Sequence, residues 1–203
     1  MGVQKKKILG DLANGMANIT ADIQTMLELS FQAFLKNNEN ILNDTKPIME
    51  KIDDQVIELA VKVPVLELEE KEEITKILSV INSLESMKYN VVKVMNQTSS
   101  KIYDGVLFTE KAVSELKSLF GLVVELVNDL NDVLITENQV LIKHIIDQVK
   151  VIEEETQKFA TEHEERLVVG QCLPKSSTLY LLILDSLRDI LWYIKSISKE
   201  LLY

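Results

Sequence analysis

The stretch LDSLRDILWYI, residues 184–194, decides the fold, because the chain has nearly spelled it before: INSLESMKYNV occupies residues 81–91. Ser83–Leu84 and Ser186–Leu187 coincide at a shift of 103 residues (186 − 83). In each copy the apolar residues recur every three or four positions, with Ile81, Leu84 and Val91 answered by Leu184, Leu187, Leu191 and Ile194. That spacing puts them on one stripe of a helix. The later copy carries the chain's single Trp, Trp192.

The same rhythm spreads outward from both copies. A first helix has Leu9, Leu12, Met16, Ile19, Ile23, Met26 and Phe34 on its stripe, and KNNEN at 36–40 stops it. A second carries Ile41, Ile48, Ile52, Val56, Leu59 and Val63; Pro47 either places its start near Thr45 or bends it there, and Pro64 ends it. The acidic LELEEKEE at 66–73 leads to the third, with Ile74, Ile77, Ile81, Leu84, Val91 and Met95 facing in. Polar NQTSSKIYDG at 96–105 divides the halves, and the pattern restarts. Thr109 is placed to cap a fourth helix with Val113, Leu116, Phe120, Val123, Val127, Leu130 and Leu134 inward. ITEN at 135–138 stands where KNNEN stood, and a fifth helix carries Leu141, Ile145, Val149, Ile152 and Phe159. After VVGQCLPKSS, Ser176 or Ser177 caps the sixth.

The expected fold is therefore all-α. Two tandem, pseudo-symmetric, up-down three-helix bundles, residues 1–100 and 101–203, pack into one elongated six-helix domain. Six Gly and three Pro leave too few turns for a β-sandwich. Regular breaks in the pattern argue against a coiled-coil rod.

A net charge of −10 opposes binding to nucleic acid or to anionic lipid. The lone Cys172 cannot form an internal disulfide and reads as a small core residue in a reducing compartment. The basic start MGVQKKKILGDLANG lacks the apolar run of a signal peptide, and no stretch is long enough to span a membrane. The expected location is the cytoplasm.

Catalytic signals are missing. There is no phosphate-cradling Gly-rich loop, no zinc-spaced Cys/His pair and no Ser nucleophile elbow. His144 reads as a polar-face residue, and His163 as a helix-end residue whose charge would suit the dipole. Glu50 and Asp54 share a helix face, with Glu153 and Glu154 at the matching place in the second half. Such oxygen-rich groups suit Mg²⁺, Mn²⁺ or iron, though a charged outer face is their commoner role. A di-iron bundle enzyme would need Glu-x-x-His pairs, whereas Glu162 and His163 are adjacent.

The segment HEERLVVGQCLPKSSTLYLLILDSLRDILWYI resembles the phosphate-uptake regulator (PhoU) family, of the type associated with sodium/phosphate cotransporters. Its H-x-x-R-L-x-x-G-x-C pattern is met by His163, Arg166, Leu167, Gly170 and Cys172. The doubled three-helix plan is similar over nearly the whole chain. This resemblance implies a non-enzymatic regulator of phosphate transport and phosphate-responsive signalling. Such a protein acts at the inner face of the membrane by contact with a phosphate transporter or sensor kinase, and some members form homodimers. It also implies metal or iron clusters held through E/D-x-x-x-D motifs on the last helix of each bundle. Here the first motif runs from Glu85 to Tyr89, and Arg188 and Trp192 stand in the second. No metal is therefore expected, and the two rings are expected mainly in the core, or else as contact anchors. A generic helical adaptor or scaffold and a metal-binding helical bundle are the alternative readings.

Overall fold

The computed structural model describes residues 2–63 and 71–202, with side chains from residue 9 onward. Among the described residues are seven helices: α1 Gly2–Lys36, α2 Asn40–Asn43, α3 Thr45–Lys62, α4 Lys71–Tyr103, α5 Glu110–Thr136, α6 Gln139–Val168 and α7 Pro174–Leu202. None is a strand. The α2–α3 pair takes the place of one expected helix. Pro47 sits in the first turn of α3, where its missing N–H costs nothing, so the helix starts at Thr45 instead of bending. Pro64 and most of the acidic connector lie outside the described residues.

Burial repeats along the chain as the sequence does. Met16, Ile23, Met26, Leu27, Phe34 and Ile52 are buried, and so are Leu116, Val123, Leu126, Val127, Leu134 and Ile152, each 100 residues on (116 − 16). Ile81, Leu84, Met87, Val91 and Val94 are matched by Leu184, Leu187, Ile190, Ile194 and Ile197 at 103. The inward residues at the starts of the second and fifth helices are Leu42 and Ile142, one place beyond Ile41 and Leu141.

The two sets of helices share one hydrophobic cluster. α1 packs on α5 and α4 on α7, across the halves, while α6 lies on α7 and α1 on α4 within them. The α1–α5 pair is antiparallel: Phe31 stacks on Phe120 with ring centroids 4.3 Å apart, and Asn131 reaches back to the Ala17 carbonyl at 2.6 Å. At about 1.5 Å per residue, the 35 residues of α1 span roughly 52 Å.

The turns also come in pairs. Asn37 and Glu137, 100 residues apart, both take left-handed φ of 51° at the ends of α1 and α5. Gly105 (φ 61°) and Gly170 (φ 76°) close α4 and α6. At Gly170 the N–H of Gln171 bonds the Arg166 carbonyl (2.9 Å) and that of Gly170 the Leu167 carbonyl (3.0 Å). Val106 and Gly105 do the same with Lys101 and Ile102, so both ends are Schellman motifs that glycine makes easy. The polar stretch expected as a divide is helical up to Tyr103, and the turn falls at Asp104–Gly105. Thr109 caps α5 as expected, its hydroxyl accepting from Ala112 N at 3.2 Å. Ser176 and Ser177 do not cap α7, which already begins at Pro174.

Candidate functional site

The H-x-x-R-L segment builds a buried polar network between α5, α6 and α7. Gly170 turns the chain from α6 into α7, and this brings the start of α7 back onto the end of α6. Glu115 of α5, its side chain 2% exposed, receives both Arg166 terminal nitrogens, at 3.1 and 2.7 Å. The Tyr180 hydroxyl donates to the same carboxylate at 2.7 Å. Arg166 also donates to His163 Nδ1 at 3.2 Å, and His163 Nε2 lies 2.9 Å from the Ser177 hydroxyl. A guanidinium only donates, so Nδ1 accepts and the proton of the neutral ring sits on Nε2, facing Ser177. The imidazole stacks on the Tyr180 ring with centroids 4.0 Å apart. Buried Cys172 is a free thiol.

The electrostatics follow from burial. Desolvation, aided by the neighbouring Arg166 charge, pushes the His163 pKa below its ordinary value against a smaller pull from Glu115. Burial works against the Arg166 charge, but its bonds to Glu115 outweigh that and hold its pKa above the usual value. Burial and then the bond to Glu115 drive the Tyr180 phenol well up, so it stays protonated. The expected helix-end role of His163 is therefore overturned. The residue does lie near the end of α6, but it is buried as a neutral ring whose nitrogens are taken by Arg166 and Ser177, so it carries no charge toward the helix end.

A different face gathers the degenerate motif positions. Trp192 and Tyr193 of α7, with Thr75, Ser79, Asn82, Ser83 and Ser86 of α4, line an open groove of about 470 Å³. Tyr89 continues the α4 stripe through Asn82 and Ser86, and Lys93 bridges to Asp189 across the helices at 3.6 Å. Tyr89 is 56% and Trp192 55% exposed, so neither is core. Each lies two residues from buried neighbours on both sides (Met87 and Val91; Ile190 and Ile194), which turns it to the opposite face of its helix. The Arg188 guanidinium is bound to Asp185 one turn away, at 2.7 Å. Glu85 is half-buried beside this face.

The other acidic candidates do not converge. Glu50, Asp54 and Glu154 are exposed, while Glu153 is half-buried. Among the described residues no three His, Cys, Asp or Glu side chains come together as a cation would need. Glu153 is bound to Lys195 at 2.8 Å, and Asp53, its counterpart one half earlier, is bound to Lys88. These residues do not fit the carboxylate clusters that the family resemblance implies.

Doubled helical trios sharing one core, with no strand among the described residues, define a six-helix all-α fold. Solved structures share it. One is the phosphate transport system regulatory protein PhoU from Streptococcus pneumoniae, with a TM-score of 0.84 at 14% identity, covering 98% of this chain and 95% of that one. Another is PhoU from Pseudomonas aeruginosa, with a TM-score of 0.85 at 14% identity, covering 95% and 94%. A putative PhoU-like phosphate regulatory protein from Shewanella oneidensis aligns at 0.58, with 14% identity over 94% and 97%. By sequence, no family model and no curated protein matches the chain. Among the described residues no helix is long and apolar enough to cross a membrane.

Proposed function

We propose that this chain is a non-catalytic regulator of phosphate transport that works by touching its partner. The partner is a phosphate transporter, of the sodium/phosphate cotransporter type, or a phosphate-sensing kinase, met at the inner face of the membrane. The observation carrying this reading is the fold: nearly the whole chain superposes on a protein described as a phosphate transport system regulator. The exposed Tyr89 and Trp192 support contact as the means of action, since large rings with a polar handle are frequent interface anchors. The buried network also fits a non-catalytic role, because its groups are already bonded to one another instead of facing an open cleft.

The test is deletion of the coding sequence in the native cell, followed by phosphate uptake and phosphate-starvation reporter assays. Capture of the tagged chain from native membranes runs beside it. Altered uptake together with recovery of a phosphate transporter or sensor is expected. Unchanged uptake and response, with a partner unrelated to phosphate, refutes the reading and leaves a generic helical adaptor.

A further inference from the structure

Two lysines deserve a role that the fold alone does not give them. Asp53 on α3 and Glu153 on α6 occupy equivalent places in the two halves, 100 residues apart. Each faces the helix that ends its own half, and each meets an ammonium there: Lys88 of α4 for Asp53 and Lys195 of α7 for Glu153. The lysines are not equivalent positions. Leu191 stands where Lys88 would recur, 103 residues on, and Val92 stands where Lys195 would fall in the first half. The two halves have thus reached the same acid–ammonium pairing from different turns of the helix. Lys88 is only 3% exposed, and its ammonium also lies 4.5 Å from the centre of the Tyr89 ring. A side chain so buried, with its charge held by a carboxylate and a ring, is placed to be a fixed internal cation.

We propose that Lys88 and Lys195 are built-in counter-cations, supplying from the chain itself the positive charge that a bound metal would bring against Asp53 and Glu153. The pairing goes beyond the regulatory reading, since a contact regulator could work with or without metal. An ammonium already within bonding distance of a carboxylate both neutralises it and repels an incoming cation.

Two measurements on the full chain test the pairing. Elemental analysis of protein purified without chelator or affinity metal should find well under one iron, zinc or manganese per chain, and EDTA should leave the melting temperature unchanged. A double-mutant cycle on the pair with the less buried lysine, Lys195→Met with Glu153→Gln, reads the charge pairing directly. Each single change should lower the melting temperature by a few degrees, at roughly 2–4 °C per kcal/mol for a chain of this size. The double variant should lose clearly less than the two added together. Stoichiometric tightly held metal, a drop in melting temperature with EDTA, or additive single effects each overturn the proposal. A phosphate phenotype is not needed for any of these readings, so they stand or fall apart from the regulatory role.

Discussion

Replacing Arg166 by Ala isolates the energetics of the buried network. The change leaves the Glu115 carboxylate, 2% exposed, facing the space the guanidinium filled. Removing one partner of a buried ion pair costs about 3–5 kcal/mol, because the other charge stays behind uncompensated. Two features hold the loss near the lower end. The Tyr180 hydroxyl still donates to Glu115, and Lys111, more than half exposed, still lies 3.4 Å away. A cost of about 3 kcal/mol is a large part of the roughly 5–15 kcal/mol available to a folded domain. Urea unfolding at pH 7.5 followed by far-UV circular dichroism reads it. With a slope of about 2–3 kcal/mol/M, the midpoint should fall by roughly 1–1.5 M without loss of native helicity. Lys at position 166 should recover little, since it cannot make the paired bonds of the planar fork. A midpoint within about 0.3 M of the parent protein, corresponding to under about 1 kcal/mol, refutes the assignment of Arg166 and Glu115 as a coupled buried pair.

Three further outcomes can be checked with the same protein. The His163 pKa is lowered in the fold, so the unfolded chain binds the proton more readily; stability is full above pH about 6.5 and is lost as pH falls toward the lowered folded value. Unfolding curves at pH 7.5 and 5.5 should show that drop, and His163→Gln should shrink it. Gly121→Ala should stabilise by about 0.5–1 kcal/mol, since the added methyl meets nothing within 4 Å in mid-helix, whereas Gly15→Ala should gain less, since the same atom would sit 2.8 Å from a Leu59 methyl that must shift to make room; thermal melts rank the two. The fluorescence of the single Trp192 should be quenched by iodide in the native state as readily as an exposed indole is, and a strongly protected emission would contradict its place on the α4–α7 face.

How much of this was legible beforehand depends on the range of the signal. The helical stripes and the repeat are local, because burial of Leu84, Leu187 or Leu116 follows from neighbours three and four residues away. The same arithmetic already turned Tyr89 and Trp192 outward; ring size was the misleading cue, since large aromatics are usually buried but need not be. Pro47 left two readings because a proline fits the first turn of a helix as well as a bend. The network around Glu115 was the hardest part. Its members come from α5, α6 and α7, and Arg166 lies 51 residues from Glu115. One clue was present: Glu115 falls on the stripe of Ala112, Leu116 and Leu119, where an acid must find a partner to be buried. The family pattern singled out His163 and Arg166 but not Glu115, Ser177 or Tyr180, which complete it.

The first half offers a control for that network within one chain. Where Glu115 stands the earlier copy has Gly15, where His163 stands it has buried Val63, and where Tyr180 stands it has Ile77. The Leu59 side chain fills the space above Gly15 that a larger residue would need. The same helical trio therefore closes once with apolar packing and once with a bonded polar set, so the fold itself does not demand the charges. Buried ion pairs often contribute no more than well-packed apolar residues of similar volume. It follows that removing every charge together should be far milder than removing one. A variant carrying Glu115→Leu, His163→Leu, Arg166→Met and Tyr180→Phe should remain helical and unfold at a higher urea concentration than Arg166→Ala alone. Failure of that variant to fold, while Arg166→Ala still folds, would mean that the polar set specifies how α5, α6 and α7 meet, and that the apolar solution of the first half cannot be transferred.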